Sequence, residues 1–172
     1  MRIERDLDVS ASADTVWRIL ADEYALVGQW ARAVRSSAPN PAAAPLPGAA
    51  VGGRVCTASI GEVTETITVF DPASRTLAYD AKARSMPFFV RGLSGHWTVR
   101  PAGSSSEVGL RFEADLMAPF GLLMDWAIRR QFRTAIDETL LDLKHYAETG
   151  QVHPDKAEAL RATARREPQE AV

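Results

Sequence analysis

Residues 2 to 10 alternate, with Ile3, Leu7 and Val9 on one side and Arg2, Glu4, Asp6 and Asp8 on the other, the period-two pattern of a strand with one dry face. Ser10 or Ser12 then offers an N-cap, and Asp14 stands in the first turn, where the helix dipole favours a negative charge. Val16, Trp17, Ile19 and Leu20 supply an apolar stripe, so a short helix is expected to end near Asp22. Tyr24 to Trp30 reads as a second short helix and Ala33 to Ser37 as a brief strand. Four prolines within residues 39–48 forbid regular structure there and predict a mobile loop over one end of the fold.

From Arg54 the pattern becomes a meander of strands at 54–60, 62–71, 75–82, 88–100 and 107–117. Ile60-Gly61-Glu62, Asp71-Pro72-Ala73-Ser74 and Pro101-Ala102-Gly103-Ser104 separate them as tight turns, so neighbours are expected to pair antiparallel. Pro119 opens a helical segment in which Leu122, Leu123, Trp126, Phe132, Ile136, Leu140, Leu143 and Tyr146 recur every three or four residues up to Gly150. A helix of about 30 residues is about 45 Å long and can cross the whole width of a curved sheet. The tail 151–172 carries four basic and four acidic residues that cancel. It reads as a charged appendix, flexible or partly helical, after a domain spanning 1–150.

Composition narrows the class. A chain of 172 residues, 46% hydrophobic and 24% charged, suits one globular domain with a full core. Twenty basic against 22 acidic side chains include no basic block, which argues against nucleic acid as a partner. Cys56 stands alone, the N-terminus is too charged for a signal peptide, and no stretch approaches the roughly 20 apolar residues of a spanning helix; a cytoplasmic location is expected. Cys56 and three scattered histidines offer no metal-ligand spacing, and no phosphate loop or Ser-His-Asp arrangement is visible, so neither metal nor cofactor is expected.

Specific residues resemble a known superfamily. Val9-Ser10-Ala11-Ser12-Ala13-Asp14-Thr15-Val16-Trp17, followed by Trp30, is similar to the opening of START-like (SRPBCC) proteins, and Val51-Gly52-Gly53-Arg54 to their entry into the meander. Glu65-Thr66-Ile67-Thr68-Val69-Phe70-Asp71-Pro72-Ala73-Ser74-Arg75-Thr76-Leu77-Ala78-Tyr79 resembles their stretch of Glu, Asp-Pro turn and Arg-x-Leu-x-Tyr. The resemblance spans about residues 3 to 148. It implies an α+β helix-grip fold, a curved antiparallel sheet wrapped around a long C-terminal helix with two short helices after the first strand. It also implies an elongated cavity between sheet and helix. Members of the superfamily include binding proteins, polyketide cyclases, oxygenase subunits and chaperone activators, so the function has to be argued from the site.

Side chains alternate along a strand, so one placement fixes a whole face. With Ile3, Leu7 and Val9 inward, the other inward sets are expected to be Val55, Thr57 and Ser59; Val63, Glu65, Ile67 and Val69; Leu77, Tyr79 and Ala81; Arg91, Leu93, Gly95, Trp97 and Val99; and Leu110, Phe112, Ala114 and Leu116. This makes a polar wall of Thr57, Ser59, Glu65 and Tyr79 opposite an apolar wall of Leu93, Trp97, Leu110 and Phe112. Arg91, Trp30 and Trp126 complete the candidate ligand contacts. Glu65 is the informative member, because a carboxylate on an apolar strand face must be paired, hydrogen-bonded or facing something polar that enters. It either closes the core through Arg91, Arg54 or a backbone amide, or it orients a ligand.

The leading expectation is a binding protein for a small hydrophobic or amphipathic molecule of lipid, quinone or polyketide type. The main rival is a cofactor-independent polyketide cyclase or dehydratase with Glu65 as general base and Tyr79 or Arg91 steadying an enolate. A third reading is an interaction protein resembling chaperone activators.

Overall fold

The computed structural model describes residues 1–58, 61–118 and 120–166. The alternating segments form seven strands: β1 (Arg2–Val9), β2 (Val34–Pro39), β3 (Gly53–Ala58), β4 (Gly61–Asp71), β5 (Thr76–Ala83), β6 (Val90–Ala102) and β7 (Ser105–Leu116). They make one sheet in the order β1-β7-β6-β5-β4-β3-β2, antiparallel throughout, as expected when consecutive strands are joined by tight turns. The two edges, β1 and β2, are joined by helix α1 (Ala13–Trp17), a π-helical turn (Arg18–Asp22) and a 3₁₀ helix (Tyr24–Gln29). Ser12 caps α1, its hydroxyl accepting from the Thr15 amide at 3.1 Å.

Helix α2 (Phe120–Thr149) follows the last strand and ends at Gly150, whose φ of 69° supplies the left-handed residue that terminates helices. It lies between the two sheet edges. On one flank Arg5 of β1 pairs with Asp137 at 2.7 Å, and Lys144 donates to the Asp8 carbonyl. On the other flank the backbone amide and Nε of Arg32, just ahead of β2, donate to the fully buried Asp142 at 2.7 and 2.8 Å. Ile136, Leu140 and Leu143 face the sheet and are buried, Phe132 meets Phe112 at 4.8 Å, and Tyr146 stacks on Trp30 at 6.4 Å.

The tail carries helix α3 (Pro154–Arg166). Its Lys156 is 2% exposed and donates from Nζ to the Val34 carbonyl at 2.5 Å, while Asp155 lies 3.4 Å from Arg32. α3 therefore covers part of the β2 edge, where unpaired backbone groups would otherwise invite pairing with another chain. The proline-rich segment is tied to the sheet by Asn40. Its amide nitrogen donates to the Glu65 carbonyl at 3.1 Å and its side-chain oxygen accepts from the Ala42 amide at 3.0 Å.

Four expected placements are corrected. β3 has the opposite phase: Arg54 pairs with Glu65 and Cys56 with Val63, so Arg54 and Cys56 point inward and Thr57, opposite exposed Glu62, points out. A bulge between Ile67 and Val69 leaves Thr68 without a partner in the ladder, which turns Val69 out to 43% exposure and Phe70 in against the core. A second bulge, between Val90 and Gly92, puts Val90 in the core and Arg91 in solvent. On α2, Trp126 is 71% exposed rather than part of the inner stripe. The side chains of Leu122 and Leu123, and the whole of Ser59, lie outside the described residues.

Candidate functional site

Glu65 sits on β4 with 8% exposure, inside a polar cluster that three elements assemble. Tyr24, at the start of the 3₁₀ helix, donates its hydroxyl to Glu65 Oε2 at 2.5 Å, and Arg54 on β3 donates Nε to the same oxygen at 2.7 Å. Arg54 also donates Nη1 to the Tyr24 carbonyl at 2.9 Å, and its guanidinium lies 4.1 Å from the Tyr24 ring centroid. The cross-strand register explains the pairing, because Arg54 and Glu65 are direct partners in the β3–β4 ladder. Both partners crowd Oε2, and Oε1 of Glu65 accepts no hydrogen bond among the described residues.

Tyr79 completes the group from β5. Its ring lies directly over Gly95 of β6, where a Cβ would fall 2.4 Å from the ring, so only glycine permits this position. The ring is 6.3 Å from that of Tyr24, and the hydroxyl makes no hydrogen bond among the described residues. Burial pushes the phenols of both Tyr24 and Tyr79 upward, with the Glu65 carboxylate adding to the effect. For Arg54, burial works against the charged form, but Glu65 together with Tyr24, Cys56 and Tyr79 outweighs it and the guanidinium is held more firmly protonated than usual. Burial pushes the Cys56 thiol up from 9.0 to about 11 against the opposing pull of Arg54.

Of the expected polar wall, the structure brings Glu65 and Tyr79 together and turns Thr57 away; Arg91 is on the rim. The apolar wall forms as expected, with Leu93, Trp97, Leu110 and Phe112 all buried. Trp30 is buried as well, and its Nε1 has no hydrogen-bond partner among the described residues. Tyr24 and Cys56 were not among the expected site residues, and Arg54 was expected only as one of three possible partners of Glu65. The only sequence signal for Tyr24 was a hydroxyl on the buried side of a short helix, and for Arg54 its position in a strand whose neighbour carries an inward Glu.

Where the β5–β6 loop meets α2, a cavity of about 260 Å³ is lined by Ala83, Met86, Phe89, Val90, Leu93 and Phe132 among others. Another, of about 570 Å³, lies on the outer side of β5, β6 and β7 and is lined by charged groups including Asp80, Lys82, Arg91 and Asp115. Neither is lined by Glu65 or Tyr79.

A curved antiparallel sheet gripping a long C-terminal helix, with an internal polar cluster on an otherwise apolar concave face, defines the helix-grip class of START-like proteins. The chain belongs to the family described as polyketide cyclase / dehydrase and lipid transport, whose model matches residues 1–148. Comparison with curated proteins returns no match. Among solved structures, a START superfamily protein from Mycobacterium smegmatis superposes with a TM-score of 0.62 at 13% identity, over 87% of this chain and 99% of that one. The di-domain ARO/CYC protein BexL of the BE-7585A biosynthetic pathway gives 0.64 at 22% identity, over 84% of this chain and 45% of that one. Norcoclaurine synthase from Thalictrum flavum gives 0.58 at 18% identity, over 81% and 90%. These likenesses establish the fold. Among the described residues no helix is long and apolar enough to cross a membrane.

The buried thiol has a measurable consequence. Its folded pKa lies above the unfolded value, so between pH 9 and about 11 the native state holds a proton that the unfolded chain releases, and stability falls as pH rises through that window. The full loss across that window corresponds to roughly 3 kcal/mol. Urea unfolding at pH 8 and pH 11 is expected to show the loss, with Cys56→Ala flattening the slope below pH 10. An unchanged slope in that variant would assign the pH dependence to other groups.

Proposed function

We propose that the chain binds a small hydrophobic or amphipathic molecule, of lipid, quinone or polyketide type, between the sheet and α2. One observation carries this reading: Glu65 Oε1, the Tyr79 hydroxyl and Trp30 Nε1 have hydrogen-bonding capacity with no partner among the described residues, inside a single hydrophobic core. Trp30 Nε1 is fully buried, and leaving such an atom unpaired costs about 1–3 kcal/mol, while the other two keep some accessible surface that a ligand can meet. A ligand with a carbonyl or hydroxyl end supplies the missing partners, and Leu93, Trp97, Leu110 and Phe112 cover its apolar body at about 25 cal/mol per Å². The family's description as lipid transport supports the same reading.

The test is co-purification followed by thermal shift. Native mass spectrometry of protein taken from its own host is expected to find a bound small molecule. Saturation at 100-fold over Kd, equivalent to about 2.7 kcal/mol, should then raise the melting temperature by roughly 5–10 °C. A protein that carries nothing and shifts with no member of a broad lipid and polyketide panel has no such site.

The geometry of Glu65 favours a second reading, cofactor-independent cyclisation or dehydration. Tyr24 and Arg54 fix Oε2, which leaves Oε1 aimed by the same contacts and available as general base, with the Tyr79 hydroxyl as a donor to a developing enolate oxygen. Glu65→Gln and Tyr79→Phe separate the two readings. A cyclase loses orders of magnitude in kcat in the first and about tenfold or more in the second, whereas a receptor for a neutral ligand keeps its affinity within a few-fold in Glu65→Gln, whose amide oxygen still accepts, and weakens by about fivefold in Tyr79→Phe. Circular dichroism has to confirm that Glu65→Gln is folded, because the substitution leaves the Arg54 charge without its counterion.

A further inference from the structure

A cleft of about 620 Å³ opens on the other flank of α2, between that helix, α3 and the β2–β3 edge. Its volume falls in the range of small-molecule sites. Three of its lining residues, Lys156, Ala159 and Leu160, lie on α3, beyond residue 148 where the family match ends, so part of the site is built by the segment that follows the matched domain. Ala58, Phe132, Ala135 and Leu160 give it an apolar surface, and the charges around that surface are unequal: Arg32, Arg35 and Lys156 against Glu138.

These cations differ in what already holds them. Arg32 is engaged by Asp142 and Asp155, and Lys156 donates to the Val34 carbonyl, its pKa lowered by burial and only partly restored by Asp142. Arg35 is exposed and makes no ion pair among the described residues. An apolar floor beside a single available guanidinium matches one anionic head on a hydrophobic body, and the planar fork of arginine suits a carboxylate in particular. We propose that this cleft is a second ligand site, adjoining the sheet–helix interior at the shared Phe132, that takes an amphipathic carboxylate, with Arg35 as its anion partner and Phe132, Ala135 and Leu160 against its apolar part. Glu138 repels a second negative charge and so selects for monoanions.

The site is tested on the full chain with decanoate and 1-naphthoate, a chain and a ring carrying the same headgroup. Methyl NMR titration is expected to shift Ala58, Ala135 and Leu160 saturably. Arg35→Glu should weaken binding at least fivefold and Glu138→Gln should strengthen it, with the unliganded spectra otherwise retained. Saturable shifts confined to Leu93 and Val90 would assign both probes to the interior and overturn the proposal. So would the absence of saturation at millimolar concentration, or an Arg35→Glu affinity equal to wild type. The proposal does not depend on the interior being occupied, since its readout is the position of the shifted methyls.

Discussion

Arg54→Met is expected to lower the stability of the protein by about 3–5 kcal/mol, the range found when one partner of a buried ion pair is removed. The side chains of Arg54 and Glu65 are only 12% and 10% exposed, so little solvent is available to replace the lost guanidinium. Arg54 also supplies the hydrogen bond to the Tyr24 carbonyl and the charge over the Tyr24 ring, and both are lost with it. For a chain of this length the change corresponds to a melting temperature lower by roughly 10 °C. The double variant Arg54→Met, Glu65→Leu should recover most of the loss, because a buried pair replaced by apolar groups of similar size is close to neutral. Chemical denaturation of both variants measures this. A single-variant loss below about 1 kcal/mol would mean that water reaches the pair in solution.

Gly95→Ala is expected to cost roughly 2–3 kcal/mol, although it adds one methyl group in a strand, where alanine is ordinarily tolerated better than glycine. The added carbon would lie 2.4 Å from Cζ and 2.5 Å from both Cε1 and the hydroxyl oxygen of Tyr79, a separation that real Cβ atoms do not reach. The ring must leave its place over β6, and it moves into a packed region beside Tyr24. Because the displaced atom is the tyrosine hydroxyl, the variant should lose ligand affinity together with stability. In a Tyr79→Ala background the same Gly95→Ala change should cost less than 1 kcal/mol, and the difference measures the coupling between the two positions. Equal costs in the two backgrounds would show that the ring is not what makes glycine necessary.

The two variants act on the one part of the site that sequence reading reached from both sides. Glu65 and Tyr79 were readable because they break the apolar alternation of otherwise clear strands, and the bulge on β4 falls after Glu65 and so does not disturb its placement. β3 was misread for the opposite reason. Arg54-Val55-Cys56-Thr57-Ala58 has no clean alternation, and an arginine is placed in solvent by default, so assigning Val55 and Thr57 to the interior flipped the whole strand. Arg91 was misplaced by one inserted residue at the Val90–Gly92 bulge, which no residue type announces. Trp126 continued the periodic stripe of α2 and yet is exposed, since periodicity gives a helix face but not where along its length the sheet stops covering it.

The sequence by itself determined the order of elements, the antiparallel meander, the long terminal helix and the burial of Glu65, because each follows from local periodicity, turn chemistry and the cost of placing a charge on an apolar face. Only the tertiary structure decided what Glu65 meets. Tyr24 lies 41 residues before it and Arg54 eleven before it, and they converge on one carboxylate oxygen through the register of β3 on β4 and the docking of a 3₁₀ helix against them. Registers and docking are long-range properties, set by which packing of the whole core is lowest in energy, and a one-residue slip in either would have left the carboxylate with different partners.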